Sequence, residues 1–187
     1  MLKNFFELLK VVVISLIIIL PIRYFIIQPF YVKGASMEPT FHDHEYLIID
    51  EISYRFNKPQ RGEVIVFRYP QNPQEYFIKR VVALPGEIIK MIDGEIFIYN
   101  SDNPTGFKLD EGFYLSDSVK TYSLVDELIS LGEDEYFVLG DNRYASKDSR
   151  TFGPLKDSFI TGKVLFRGWP FSRLTLFKYS NIYNFNN

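Results

Sequence analysis

The sequence predicts a mainly β protein that is preceded by one N-terminal transmembrane helix. After residue 40 the apolar runs are short and rich in β-branched and aromatic side chains, which is typical of strands. Asp93-Gly94 separates two such runs and is the strongest hairpin signal in the chain, because a type I′ turn needs positive φ at both central positions. Residues 11–22, in contrast, are apolar and carry no charge.

The N-terminal helix is expected at roughly residues 4–23. A bilayer core of about 30 Å needs about 20 helical residues, so the uncharged run is too short alone and the span must include Glu7 and Lys10. These two side chains are three positions apart on one helical face, where they can pair or extend toward the headgroups. Lys3, Lys10 and the α-amino group precede the uncharged run, which favours a cytoplasmic N-terminus.

Two other interpretations of this segment compete with an anchor: a cleaved signal peptide and a buried core helix. A signal peptide has an apolar region of about 7–15 residues, and a small-x-small triplet stands at 34–36. That triplet lies far beyond the apolar run, however, and a core helix normally carries a polar face. We therefore expect a cytoplasmic N-terminus and retained anchor over residues 1–27, followed by an extracytoplasmic β domain over residues 28–187.

The candidate strands are bounded by Gly, Pro and Asn. They are YLIID at 46–50, EVIVFRY at 63–69, YFIKRVVAL at 76–84, EIIKMI at 87–92, EIFIY at 95–99, EYFVLG at 135–140 and GKVLFRGW at 162–169. A polar, turn-rich stretch predicts an insertion at about 100–133, more mobile than the core. Within it, SLVDELISL at 123–131 is a weak helix candidate, and the C-terminal KYSNIYNFNN at 178–187 is expected to be loosely held.

Composition excludes several classes of site. The 187 residues include no Cys and two His, with 21 Lys+Arg against 23 Asp+Glu. The lack of Cys excludes disulfides, a cysteine nucleophile, iron–sulfur clusters and Cys-ligated zinc. The near-neutral charge argues against nucleic acid as a main partner. His42 and His44 could share one face of a strand, but no further ligand cluster accompanies them, so we expect neither a metal nor another cofactor.

Two short segments carry candidate catalytic groups. GASMEPT at 34–40 sets Ser36 between small residues, which leave backbone amides open to an oxyanion; such a segment is also ordinary loop chemistry. In YFIKRVVALPGE at 76–87, Lys79 interrupts an apolar strand. If this lysine is buried rather than at a solvated edge, loss of solvation lowers its pKa and makes it a base.

A third segment, GDNRYASKDSRTFG at 140–153, follows a predicted strand directly and is dense in Asp, Asn, Ser and Arg. Such a loop can hold a site through paired charges, for example Asp148 with Arg150, and through side-chain bonds to the backbone. The alternative is a solvated turn. Fourteen residues with this many hydrogen-bonding groups favour the first interpretation.

Together these segments resemble bacterial signal peptidase I, the membrane-bound leader peptidase. The matching motifs, in order, are QPF at 28–30, GASMEPT at 34–40, RGEVIVFRYP at 61–70, YFIKRVVALPGE at 76–87 and GDNRYASKDSRTFGPL at 140–155. The resemblance covers most of the chain and is highly specific. It implies an antiparallel β-sheet catalytic domain with a small inserted region, and a membrane-bound serine endopeptidase that cleaves N-terminal signal peptides from exported preproteins.

The resemblance also implies roles for individual residues. Ser36 would be the nucleophile and Lys79 the general base, a Ser–Lys variant of acyl-transfer catalysis. Ser146 matches the family's serine that hydrogen-bonds and orients the lysine. Asp148 and Arg150 match a charged pair that supports the site, and Asp141 matches a support that pairs with an arginine such as Arg80. The residues that match the shallow apolar pockets for small side chains at positions −1 and −3 are Phe30, Val32, Phe77 and Ile78.

Gly34 departs from the family pattern. Many members have a serine two residues before the nucleophile, whose hydroxyl completes the oxyanion hole with the nucleophile's own amide. With glycine there, the second donor would be a water or the Gly34 backbone. Losing one such donor costs about 10²-fold or more in rate.

The implied location is the bacterial plasma membrane, with one span, a cytoplasmic N-terminus and the catalytic domain outside. The implied partners are preproteins, the lipid bilayer and a nearby secretion translocon. Two alternatives stay open: a specialised single-substrate peptidase of a pilus or transfer system, and a membrane-tethered, non-catalytic β scaffold that binds extended peptides.

Overall fold

The strands form two antiparallel sheets, as seen in a computed structural model that describes residues 2–25, 27–123 and 128–179. The elements are α1 (Leu2–Phe25), β1 (Ile27–Tyr31), β2 (Tyr46–Asp50), α2 (Ser53–Phe56), β3 (Val64–Tyr69), β4 (Asn72–Ala83), β5 (Ile88–Ile92), β6 (Glu95–Tyr99), β7 (Phe107–Lys108), β8 (Ile129–Ser130), β9 (Glu135–Leu139), α3 (Ser149–Phe152), β10 (Leu155–Lys156), β11 (Ile160–Trp169) and β12 (Thr175–Leu176), with 3₁₀ turns at Asp157–Phe159 and Phe171–Arg173. The prediction of a mainly β, antiparallel fold is confirmed.

The larger sheet carries the strands that hold the predicted site. Its order is β1-β2-β11-β3-β4-β9-β10, with β12 paired to β11. β1 contains Pro29 and lies at the edge, where a residue without an N–H is tolerated. The smaller sheet has the order β7-β6-β5-β8, so it combines the β5–β6 hairpin with strands from the predicted insertion.

All seven predicted strands are present, β2 and β6 with the predicted bounds and the other five with ends shifted by a few residues. The turn between β5 and β6 has Asp93 at φ 52° and Gly94 at φ 80°, as a type I′ turn requires. The helix predicted at 123–131 is wrong at residues 129–130, because these extend the smaller sheet by pairing with Ile88 and Ile89. Residues 124–127 of that prediction lie outside the described residues.

Two clusters of buried side chains support the site. One joins the two sheets: Val82 and Phe137 of the larger sheet pack with Ile89 and Ile98 of the smaller one. The other lies under the β1–β2 loop, where Phe177 and Tyr179 pack against the buried residues. The expectation of a loosely held C-terminus is therefore wrong at Tyr179, since an aromatic side chain there covers apolar core; residues 180–187 lie outside the described residues.

The predicted N-terminal helix is confirmed as a helix, α1, with bounds slightly wider than residues 4–23. Across the part of the chain that the structure describes, no helix is both long enough and apolar enough to cross a membrane. A membrane-spanning role for α1 stays a prediction.

Candidate active site

Ser36 lies in the loop that joins β1 to β2. Backbone hydrogen bonds close the base of this loop, from Val32 N–H to the Glu45 carbonyl (2.9 Å) and from His44 N–H to the Val32 carbonyl (3.1 Å). Met37, the next residue after Ser36, is buried with 1% of its surface exposed. The loop is thus closed at its base and anchored in the core beside the serine, which fixes the position of the hydroxyl.

Lys79 lies inside β4 and is buried. Its Nζ is 2.7 Å from Ser36 Oγ and 2.7 Å from the Ile78 carbonyl oxygen, both hydrogen-bond distances. Burial lowers the pKa of Lys79 to about 8, against a smaller raising effect of the Asp148 and Asp141 carboxylates. A far larger fraction of this amine is therefore neutral near pH 7 than of an exposed lysine.

Arg80 points to the other side of β4, as alternation along a strand requires, and it too is buried. Its Nε and Nη2 donate to the two oxygens of Asp141 (2.9 and 2.7 Å), which is the pairing expected from the sequence. Thr40 Oγ1 donates to the same carboxylate at 2.5 Å. Burial by itself lowers the pKa of Arg80, but Asp141 outweighs it and the pKa is raised. The Arg80–Asp141 pair therefore joins β4 to the segment after β9, and Thr40 joins the serine loop to the same carboxylate.

Asp148 and Arg150 fold the segment after β9 back on itself. Arg150 Nε and Nη2 donate to the two oxygens of Asp148 at 2.8 Å each, and Gly140 N–H donates to Asp148 Oδ2 at 3.0 Å. Burial by itself raises the pKa of Asp148, but these donors outweigh it and the pKa is lowered. The carboxylate is therefore charged at neutral pH and holds both ends of the segment.

Ser146 lies in this segment, but its hydroxyl makes no hydrogen bond to Lys79. Within the described residues, Ser146 Oγ is buried without a hydrogen-bond partner, although it lies close enough to Asp148 to help lower the pKa of that carboxyl. The hydroxyl packs against Gly140, where an added Cβ would lie 2.2 Å from it. A role for Ser146 in orienting the lysine stays a prediction.

A cleft of about 610 Å³ opens beside the serine and the lysine. One wall ring, Phe77, is stacked on Tyr69 with 4.5 Å between ring centroids. The cleft brings together all four residues that the sequence assigned to substrate pockets: Phe30, Val32, Phe77 and Ile78.

Gly34 has a left-handed backbone with φ 86°. Its N–H donates to Asp43 Oδ1 at 2.9 Å, and this bond is the largest cause of the lowered pKa of Asp43. The Gly34 N–H is therefore occupied, and one of the two expected sources of a second oxyanion donor is removed. A Cβ at this position would meet nothing within 4 Å, so the space beside it is open.

His42 and His44 lie in the same loop as Ser36. His42 Nδ1 is 3.3 Å from Glu38 Oε1, and His44 Nε2 is 3.4 Å from Asp43 Oδ2. Throughout residues 2–25, 27–123 and 128–179, no three His, Cys, Asp or Glu side chains form a group that could hold a metal ion.

The sequence matches the family described as signal peptidase, peptidase S26, over residues 5–169. It is 32% identical to signal peptidase IB of Staphylococcus aureus, over 98% of this chain and 96% of the relative. It is 37% identical to signal peptidase I of Leptolyngbya laminosa, over 89% of this chain and 80% of the relative. The chain belongs to the signal peptidase family. A crystal structure of a signal peptidase I from Enterococcus faecalis matches with a TM-score of 0.45 and 32% identity, over 57% of this chain and 97% of that chain.

This signal peptidase is a serine endopeptidase that processes the signal peptides of preproteins.

Sequence reasoning did not single out Asn142, whose hydrogen bonds hold the loop that contains Ser36. The Asn142 N–H donates to the Ser36 carbonyl and its Nδ2 donates to the Ala35 carbonyl, both at 3.1 Å. The polar segment was visible in the sequence, but its composition does not indicate which side chain contacts a loop 107 positions earlier.

Proposed function

We propose that this signal peptidase cleaves preproteins with Ser36 as the nucleophile and Lys79 as the general base. The observation that carries the proposal is the 2.7 Å distance between Lys79 Nζ and Ser36 Oγ. Two further properties support it: the lysine is buried and its pKa is lowered to about 8. A base must be neutral and within hydrogen-bond reach of the proton that it accepts.

In the proposed reaction, Ser36 Oγ attacks the scissile carbonyl carbon while the neutral Lys79 amine accepts the hydroxyl proton. The tetrahedral intermediate collapses to an ester between Ser36 and the signal peptide. The C–N bond breaks, and the Lys79 ammonium gives its proton to the leaving amine. A water molecule then attacks the ester, Lys79 accepts its proton, and the Ser36 hydroxyl is regenerated with that proton.

The oxyanion of the intermediate would be bound by the Ser36 N–H, with a water molecule as the second donor. The second donor is assigned to water because Asp43 already accepts the Gly34 N–H. The open space beside Gly34 is consistent with this role.

The substrate would bind as an extended strand between β1 and β4. β1 is an edge strand, and β9 pairs with β4 only from Arg80 onward, so the stretch before Arg80 has a free edge beside the cleft. An extended peptide can add to such edges through its main chain. The four apolar wall residues of the cleft would then accept small side chains at positions −1 and −3.

The charged pairs would act as supports. Asp141 would hold the segment after β9 against Arg80 of β4 and Thr40 of the serine loop. Asp148 with Arg150 would keep that segment folded on itself. Ser146 would orient Lys79, and its buried hydroxyl, which has no hydrogen-bond partner among the described residues, is available for that role.

For the location we propose a single-span anchor formed by α1, with a cytoplasmic N-terminus and the catalytic domain outside, near the secretion translocon that delivers preproteins. Phe6, Leu8 and Ile17 of α1 are each at least 60% exposed. A lipid surface would cover these apolar side chains.

The experiment compares Ser36→Ala and Lys79→Ala with the unchanged chain, on a preprotein with an Ala-x-Ala junction. Both variants should lose cleavage by a factor of about 10³ or more, and the control Ser118→Ala, at an exposed serine, should cleave normally. Normal cleavage by Lys79→Ala would refute the assignment of the base. Peptide binding by the unchanged chain without turnover would favour the non-catalytic scaffold.

A further inference from the structure

Three residues of the predicted insertion, Glu111, Tyr114 and Thr121, converge on Arg143; we name them the insertion clamp. Glu111 accepts a bidentate pair of hydrogen bonds from Arg143, with Nη1–Oε2 at 2.9 Å and Nη2–Oε1 at 2.6 Å. Arg143 also donates to Tyr114 Oη at 3.2 Å and to Thr121 Oγ1. The Arg143 side chain is 1% exposed, so hydrogen bonds to these partners replace the water that would otherwise stabilise its charge.

Arg143 belongs to the segment that holds the serine loop. Its Nε donates to the Gly140 carbonyl at 3.0 Å, and its own carbonyl accepts a hydrogen bond from Arg150 Nη2 at 2.8 Å. The preceding residue, Asn142, donates to the Ser36 carbonyl. One side chain therefore lies between the insertion clamp and the backbone that fixes the nucleophile.

A second contact runs in parallel. The Arg80 guanidinium lies 4.0 Å above the centre of the Tyr114 ring, and Arg80 is the ion-pair partner of Asp141. Asp141 directly precedes Asn142. The clamp thus contacts both arginines that fix this short stretch of chain.

We propose that Glu111 is a positioning residue for Ser36, acting through Arg143 and Asn142. Without the carboxylate, the buried guanidinium must find other partners, and the 140–143 stretch shifts with it. The serine would then lose its alignment with Lys79 and with the scissile carbonyl. The inference rests on the proposed function, because it concerns the geometry of the same nucleophile.

The test is Glu111→Gln in the full chain, measured on a peptide with an Ala-x-Ala junction. We expect kcat to fall about tenfold to a hundredfold, which is typical of misalignment by up to about 1 Å. KM should stay within about twofold, because the clamp does not line the cleft. A merely structural role would lower the midpoint of thermal unfolding but leave kcat per folded molecule unchanged well below that midpoint.

The matched control is Glu95→Gln in β6, which removes a carboxylate from partly exposed pairs with Lys108 and Lys120 and should leave kcat unchanged. Glu111→Asp retains the charge on a shorter side chain and should restore part of kcat; it also supplies the measurement if Glu111→Gln does not fold. A kcat of Glu111→Gln equal to that of the control overturns the proposal, as does a kcat of Glu111→Asp no higher than that of Glu111→Gln. Cleavage by Ser36→Ala under the same conditions would instead refute the proposed function.

Discussion

Lys79 holds its amine in surroundings that disfavour the charged form. Its pKa is lowered from an ordinary value of 10.5 to about 8, with burial as the main cause. A difference of this size corresponds to about 3 kcal/mol of folding free energy when the amine is charged in both the folded and the unfolded chain. The burial that suits the lysine to its proposed role as base therefore also destabilises the fold.

The first prediction at the residue scale is that Lys79→Met increases the free energy of unfolding near pH 7, by up to about 3 kcal/mol, while it abolishes cleavage. Below about pH 8 the cost of the buried charge is fully present. Between about pH 8 and 10.5 the unfolded chain binds more protons than the folded chain, so wild-type stability rises with pH. The advantage of the variant should shrink over that interval, as followed by denaturant unfolding at several pH values.

The control for this measurement is Lys58→Met, at an exposed lysine, which should show no comparable gain. If the wild type is at least as stable as Lys79→Met at pH 7, the lysine is not held in a site that disfavours its charge.

Sequence reasoning could predict the residue types of the site but not all of its hydrogen bonds. Lys79 was identifiable because it interrupts an apolar run and falls within a motif that resembles the family's, although only the structure shows that it is buried. The hydrogen bond from the Gly34 N–H to Asp43 could not be predicted, because it depends on the conformation of the loop that contains both residues. The contact of Asn142 with Ser36 joins loops that are distant in sequence.

At the scale of elements, the end of β9 lies very close to the serine loop. A Cβ at Gly140 would lie 2.4 Å from the Ser36 carbonyl oxygen and 2.2 Å from Ser146 Oγ. The first of these atoms belongs to the backbone, so it cannot move without moving Ser36. Only glycine fits this approach of strand to loop.

The second prediction is therefore that Gly140→Ala lowers kcat by about 10²-fold, since the serine loop must shift to admit the methyl group. The readout is kcat on the peptide substrate, at a temperature where circular dichroism reports a folded chain. Gly168→Ala in β11 is the control, because the nearest atom to its added Cβ is 3.6 Å away and it should retain activity. Equal kcat values for the two variants would contradict the close approach.

The strands themselves were predictable where they were long enough to have a pattern. β2 and β6 coincide with the predicted runs, because each has five residues whose burial alternates. The type I′ turn at 93–94 also indicates where β6 begins. β7, β8, β10 and β12 are two residues long, and each exists only because a neighbouring strand offers a free edge. Such strands have no local signal.

In the molecule as a whole, the larger and the smaller sheet share a core, whereas α1 carries exposed apolar side chains. The sequence predicted the division into an N-terminal helix and a β domain from composition alone. It did not predict that the insertion contacts the segment after β9. The contacting residues Glu111 and Arg143 are 32 positions apart, and neither lies in a periodic pattern.

The third prediction concerns α1. The full chain should sediment with membranes and resist extraction by alkaline carbonate, because in the proposed anchor lipid would cover the exposed apolar side chains of α1. A chain that lacks residues 1–26 should appear in the supernatant. Recovery of the full chain in the supernatant would contradict the proposed anchor.

If a neutral Lys79 amine activates Ser36, the pH dependence of kcat/KM must follow the titration of that amine. The active form of the base is the deprotonated one, so kcat/KM should rise about tenfold per pH unit at low pH and level off above about pH 8. A kcat/KM that stays constant from about pH 6 to about pH 9 would contradict the account.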